Sequence, residues 1–375
     1  MKIAVTTLAF CVAALLALGM VMLYSSSMTQ VGAHYLMLQL VWCALGLVLC
    51  VAAASLDYRL LKKFAWPFFG LAVLLLALVL VPHIGLRLNG ARRWFSFHRV
   101  HFQPSELAKL AVIIALAWYG EHCQRQMQSW KKGILLPGFI IGPVLALIFV
   151  EPDWGTTILL ACVSVAMLIV AGVRWRCVIP PVIIGAAGLV VLLLHNPVRR
   201  ERLLAFLHPE QYKSGIGYQQ WQAVLALGSG GWLGEGLGNS RQKLGFIPEH
   251  HTDFILPVIG EELGVIATLA VVLAFLVIVV CGIYISWRAR DTFGQLLALG
   301  ISCLIGLQAC INVGVVTSSL PNKGIALPFI SYGGSNLLAM LVCVGLLFSI
   351  ARLAGAPEPD AGPVGTGEFS SPQPA

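Results

Sequence analysis

The chain has 375 residues, of which 58% are hydrophobic and 11% charged, with a formal net charge of +8. A mean hydropathy of +0.87 makes it an integral membrane protein, because a water-soluble domain cannot enclose so large an apolar share. No zinc-ligand spacing, RNP motif or basic helix accompanies the positive charge, so nucleic-acid binding is excluded and membrane topology and headgroup contact explain the excess.

Apolar runs long enough to cross a ~30 Å hydrocarbon core as helices are predicted at 3–23, 35–54, 64–81, 105–120, 133–150, 156–173, 177–194, 254–286, 294–317 and 328–351. The fold class is therefore an all-α membrane protein of about ten transmembrane helices, with one polytopic domain over 1–354 and one large loop over 195–253. Lys2 before an apolar stretch that ends at Ser25, Ser26 and Ser27 resembles a secretory signal. The apolar run exceeds a normal signal core and lacks a small-x-small cleavage site, so it reads as a retained helix. No repeat of 20–50 residues and no inverted halves stand out.

Ten crossings put both termini on one side, together with Lys2, Arg59, Lys62, Lys63, Arg125, Lys131, Lys132, Arg174, Arg176, Arg288, Arg290 and Arg352. Twelve basic residues there face eleven opposite, with Lys109 inside a helix, so the raw count does not decide the orientation. Distribution does: the 195–253 loop is too long to obey the positive-inside rule, whereas each short loop on the terminal side carries a basic residue. That side is expected to be the cytoplasm. The opposite 82–104 loop, with Arg87, Arg92, Arg93 and Arg99, reads as a place where an anion is met, either substrate phosphate or lipid headgroups.

Arg92, Arg93 and Trp94 combine guanidinium groups for phosphate with an indole for a sugar face, or for the membrane interface. Glu106 and Lys109 are three apart on one helix face, where each neutralises the other inside the bilayer as a structural or a catalytic pair. In the large loop, Tyr218 to Leu227 is expected to lie along the membrane surface as a short amphipathic helix before the glycines Gly234, Gly236 and Gly238. These lack the strand-turn-helix setting of a nucleotide fingerprint. The ten cysteines fall in predicted helices or inner loops, so no disulfide and no cysteine-based metal site is expected. The tail from Gly355 to Ala375, rich in Pro, Gly and Ser, is expected to be a disordered cytoplasmic tether.

The densest charge lies between Arg241 and Gly264, with Arg241, Lys243, Glu249, His250, His251 and Asp253 directly before a span that itself carries Glu261 and Glu262. Charge at that density is costly beside a membrane and points to chemistry or to a charged ligand. Asp253, beside Phe254 and Ile255, is either a partly desolvated general base or the N-cap of the eighth span. Arg241 and Lys243 are a candidate anion clamp, or solvated loop charges. Glu261 and Glu262 point about 100° apart, so both cannot face one cavity equally. Gly260 and Gly264 form a small-xxx-small pair for helix contact. His250 and His251 have weak spacing for zinc, which is rejected. Ser331 to Ser335, with Gly333 and Gly334, should break the start of the last span and offer backbone N–H groups to phosphate or sugar.

Six ordered motifs carry a family resemblance: LNGARRWF (88–95), FQPSELAKL (102–110), EPDWGTT (151–157), GLGNSRQKLGFIPEHHTDF (236–254), VIGEELG (258–264) and LPFISYGGS (327–335). Together they resemble the shape, elongation, division and sporulation family, the bacterial peptidoglycan polymerases that comprise FtsW, RodA and SpoVE. SRQKLGFIPE and LPNKG (320–324) look more like the division enzyme FtsW than RodA. Two positions depart from the family pattern: Pro257 stands where an alanine-like residue is usual, and Asn336 where serine often follows SYGGS.

The resemblance implies a glycosyltransferase of the bacterial cytoplasmic membrane, working at the division septum. It would join lipid II, the undecaprenyl-pyrophosphate-linked disaccharide peptide, into glycan strands on the outer face. Asp253 matches the family's catalytic aspartate, and Glu106 and Lys109 fill the QPSE-x-x-K motif. A divalent cation, Mg²⁺ or Mn²⁺, held by Asp253 is implied, as is a class B penicillin-binding transpeptidase partner. The rival readings are a RodA-like polymerase of elongation, a lipid II flippase and a divisome scaffold without chemistry; only a polymerase should require Asp253.

Overall fold

The computed structural model describes residues 1–375 apart from 28–31, 33, 89–90, 98–99, 196, 209, 214, 216, 243–251 and 356–375. The tail lies outside the described residues, as do Arg99, Lys243, Glu249, His250 and His251.

All ten predicted spans are helices. They are α1 (Lys2–Ser27), α2 (His34–Ser55), α3 (Leu60–Leu80), α4 (Pro104–His122), α5 (Leu136–Val150), α6 (Trp154–Val170), α7 (Trp175–His195), α10 (Ile255–Arg288), α11 (Thr292–Val316) and α12 (Gly334–Ala354). Two helices of the large loop complete the set, α8 (Pro197–Leu207) and α9 (Tyr218–Ser229). Eight are long and apolar enough to cross a membrane, α5 counting with the turn before it from Lys131, and α6 is a shorter apolar helix.

α4 carries Glu106, Lys109 and Glu121, yet it is enclosed nearly all round, from Pro104 to Gly120. A helix surrounded by protein rather than lipid can carry such groups if each is paired. In α11 and α12 61% of the most apolar stretch is buried, against 6% in α7. The core is therefore α4, α11 and α12, with α7 at the periphery. Aspartates open two of the helices: Asp153 accepts from Thr156 N at 3.2 Å at the start of α6, and Asp291 from Gly294 N at 3.3 Å at the start of α11.

Three features depart from the sequence reading. The 82–104 loop holds a three-stranded antiparallel sheet, β1 (Leu86–Leu88), β2 (Ala91–Phe97) and β3 (Val100–Phe102). Leu88 pairs with Ala91 and Phe97 with Val100, so each connection has two residues. The first of these is Asn89-Gly90, the strongest short hairpin signal a sequence offers. The large loop, read as one short surface helix and turns, has α8 as well as α9.

The third departure is in α10, which is not continuous: Gly264 has φ 79° and ψ −178°, a conformation that only glycine adopts without strain. The glycine-rich stretch after α9 inserts at this break. Val265 N and Ile266 N, which in a regular helix would bond to the carbonyls of Glu261 and Glu262, donate instead to Gly231 O at 2.9 Å and Trp232 O at 3.4 Å. Those two carbonyls accept in turn from Glu235 N at 2.9 Å and Gly236 N at 3.0 Å. The exchange satisfies every backbone group that the break exposes. Gly264 is thus both the break in the helix and a close contact with the insert, a Cβ there meeting Trp232 O at 2.4 Å, while Gly260 packs closely on Leu227 of α9.

Candidate active site

Charged and polar side chains gather at the end of the bundle where α4, α6, α10 and α12 begin. Asp253 stands in the turn leading into α10, half-exposed, with Phe254 and Ile255 buried behind it. The N-cap position of α10 falls on Phe254, which makes no side-chain cap bond. A Cβ on Gly324 would lie 2.4 Å from Asp253 Oδ2, so the carboxylate rests directly on the backbone of the 320–327 segment. Asn312 of α11 holds the two pieces together: its Nδ2 donates to Asp253 O at 2.9 Å and to Ile325 O at 2.7 Å.

The same segment reaches α6 on its other side. Lys323 Nζ lies 5.5 Å from the centre of the Trp154 ring, within cation–π range, and a Cβ on Gly155 would meet Ile325 Cδ1 at 2.8 Å.

Glu106 and Lys109 form the buried pair expected of them, with Nζ to Oε2 at 2.9 Å and Lys109 only 2% exposed. Each has a further partner. Asn336 Nδ2 donates to Glu106 Oε2 at 3.0 Å, and Lys109 Nζ donates to Gln308 Oε1 at 2.9 Å. Gln308 Nε2 then donates to Ala326 O at 2.9 Å. The chain of bonds runs from α12 through α4 and α11 into the segment beneath Asp253. It also gives the unusual Asn336 a function, as a donor to a carboxylate that would otherwise have only the lysine.

Glu261 and Glu262 reach different elements but meet at Ser240, whose backbone N–H donates to Glu262 Oε1 at 3.4 Å. Glu262 accepts Ser25 Oγ of α1 at 2.8 and 2.7 Å. Glu261 accepts the hydroxyl of Ser240 and the backbone N–H of Arg241 at 3.2 Å. Both carboxylates therefore organise the chain between the glycine insert and Asp253. Arg241 itself is exposed.

The arginine pair on β2 sits at a break in register, where Leu86 pairs with Trp94 and Arg87 with Arg92, so that Arg93 is the extra residue of a bulge. Arg93 bonds to the end of α5, Nε to Glu151 O at 2.8 Å and Nη2 to Pro152 O at 2.5 Å. Arg92 and Trp94 are half-buried. Around SYGGS two of the amides offered to a phosphate already have partners within the chain. Ser331 N donates to Leu327 O at 3.1 Å, and Gly333 N to Gln39 Oε1 of α2 at 3.3 Å. A Cβ on Gly334 would strike the Trp42 ring at 2.4 Å.

The sequence reading passed over Gln39, Glu151, Gln308 and Asn312. Gln308 and Asn312 were findable as an amide pair four apart in an apolar span. Glu151 is fully buried with no hydrogen-bond partner for either carboxyl oxygen among the described residues. Burial and the neighbouring Asp153 charge push its pKa up to about 8, against the lowering influence of Arg93.

The family model of the FtsW, RodA and SpoVE cell cycle proteins matches residues 6–355. The chain belongs to this family. A relative from Trichlorobacter lovleyi named "Probable peptidoglycan glycosyltransferase FtsW" is 40% identical over 346 residues, covering 91% of each chain. One of the same name from Coxiella burnetii is 39% identical over 352 residues, covering 91% of this chain and 94% of its own. Among solved structures, a chain from work on polymerization and crosslinking by a peptidoglycan synthase complex superimposes with a TM-score of 0.78 and 31% identity, covering 93% of this chain and 98% of that one. The rod-shape-determining protein RodA of Thermus thermophilus gives 0.71 and 29%, covering 93% and 97%. The ten-helix arrangement is therefore that of the FtsW/RodA/SpoVE family, and the motifs that suggested it converge on the end of the bundle that holds Asp253.

Proposed function

We propose that this protein is an FtsW-like peptidoglycan glycosyltransferase that polymerises lipid II, with Asp253 as general base. The observation that carries the assignment to Asp253 is its place: it is a half-exposed carboxylate held on a buried polar scaffold, whereas Glu106, Glu151, Asp153, Glu261 and Glu262 are buried. In the reaction an acceptor-sugar hydroxyl attacks the anomeric carbon of the donor, its proton passes to the Asp253 carboxylate, and the bond to undecaprenyl pyrophosphate breaks. Cationic side chains near this end, Lys323 and Arg92 among them, suit the developing pyrophosphate charge.

A divalent cation fits the same place. Hard cations take carboxylate and phosphate oxygens together, and the half-exposed Asp253 is one that a hydrated ion can approach. Mg²⁺ or Mn²⁺ there would neutralise the pyrophosphate. Among the described residues no cluster of three or more His, Cys, Asp or Glu exists to hold a metal without substrate.

The site end is placed outside the cytoplasmic membrane and both termini inside, on the loop-charge distribution. The division septum and a class B penicillin-binding transpeptidase partner are read from the FtsW-named relatives and the synthase-complex neighbour. The test is reconstitution with that partner, labelled lipid II and a divalent cation. Wild type should make glycan strands and Asp253→Asn should lose at least ~10³-fold in rate. Undiminished strands from Asp253→Asn would discard it as the base, and lipid II crossing vesicles without strands from either protein would favour a flippase.

A further inference from the structure

We infer that Asn312 and Gln308 of α11 are positioning residues for glycosyl transfer, an inference that rests on Asp253 being the base. Asn312 spends both hydrogens of one amide on two separate backbone carbonyls, Asp253 O at 2.9 Å and Ile325 O at 2.7 Å. These belong to the two chain segments whose contact sets where the carboxylate lies: the turn into α10, and the segment whose Gly324 touches Asp253 Oδ2. One turn earlier on the same helix face, Gln308 donates to the next carbonyl, Ala326 O, at 2.9 Å. Its own carbonyl accepts Lys109 Nζ at 2.9 Å, so it is locked in one orientation.

A packing role alone does not account for these amides. Asn312 and Gln308 are 2% and 1% exposed, and Asn312 Oδ1 is buried without a hydrogen-bond partner among the described residues. An unsatisfied buried acceptor is a cost, one that an apolar side chain would avoid. What an apolar side chain could not do is tie Asp253 O to Ile325 O. The rigid, enclosed α11 thus sets the base's backbone, and the Glu106–Lys109 pair acts on the site through Gln308. A shift of about 1 Å in such a group is enough to lose roughly 10²-fold in rate.

The experiment uses the full-length protein with its transpeptidase partner and lipid II, and compares kcat, KM and thermal midpoint for wild type, Asn312→Ala, Gln308→Ala, Asp253→Asn and the double variant Asp253→Asn with Asn312→Ala. Folded Asn312→Ala is expected to lose about 10²-fold in kcat with KM within about threefold, since ground-state binding is untouched. In the Asp253→Asn background the same change should alter the residual rate less than about twofold, because it has no base left to position. Wild-type kcat in folded Asn312→Ala, or a loss carried by KM, overturns the proposal. Should Asn312→Ala fail to fold, Gln308→Ala carries the test, with a smaller kcat loss of about tenfold at unchanged KM. A wild-type rate in Asp253→Asn removes the base reading itself, and is visible before any α11 variant is made.

Discussion

A carboxylate can rest against residue 324 only because glycine stands there, the space for a Cβ being already filled by Asp253 Oδ2. Glu151 is the opposite case, a fully buried carboxyl with nothing among the described residues donating to it. Its pKa of about 8, against 4.5 for a solvated glutamate, means that the folded protein holds a proton that the unfolded chain releases above 4.5. A raised folded pKa on an acid makes the folded state lose stability as pH climbs from about 4.5 to 8. The linkage is worth at most about 5 kcal/mol. Glu151→Gln keeps the shape of the protonated acid and cannot ionise, so it is expected to raise the apparent melting midpoint at pH 8 to 9 and to change it little near pH 5. Identical pH profiles for the two proteins would show that Glu151 ionises in the folded protein as readily as in the unfolded chain, so that its carboxyl reaches water.

At the scale of elements, the break in α10 matters most, because it seats the glycine insert that leads to Ser240 and thence toward Asp253. An alanine at 264 would need φ of 79° and would set its Cβ 2.4 Å from Trp232 O and 2.6 Å from Gly234 N. Gly264→Ala is expected to cost roughly 2–3 kcal/mol, seen as a lower melting midpoint and reduced yield; a midpoint within 1–2 °C of wild type would mean that the insert adapts. This break was not legible in the sequence. Gly264 lies four residues after Gly260 in an apolar run, a pattern that a continuous packed helix explains equally well, and its cause is a loop some thirty residues away. The helices themselves were legible because in a bilayer each must satisfy its own backbone, so apolar length fixes them nearly alone. The sheet could have been read from Asn89-Gly90 and the flanking alternation. For the site, the Glu106–Lys109 spacing announced its pair, and Gln308 and Asn336 stand out as polar residues in apolar spans, but that they are the pair's partners comes from folding and carries no local signal.

On the scale of the whole molecule the two ends of the bundle are built differently. At the end opposite the site, Lys62 Nζ bridges Glu121 Oε1 and Asp291 Oδ2, both at 2.8 Å. The Tyr58 hydroxyl also bonds to Asp291, and its backbone N–H donates to Ser349 Oγ at 3.2 Å. Arg352 Nη2 donates to Ser55 O at 2.7 Å. This network ties α2, α3, α4, α11 and α12 together, while the site end is joined mainly by amides and carbonyls of loops. Burial alone would raise the Asp291 pKa, but the hydrogen bonds from Lys62 and Tyr58 and the Lys62 and Arg59 charges outweigh it, and the net shift is downward from 3.8. A depressed folded pKa stabilises above the unfolded value and is lost as pH falls through and below 3.8. Asp291→Asn keeps a good helix cap while removing the charge, and is expected to cost roughly 1–2 kcal/mol at neutral pH, with kcat of the folded protein within about twofold of wild type. A large fall in kcat without loss of stability would instead mean that the two ends are coupled, with the network transmitting to the site rather than merely holding the helices.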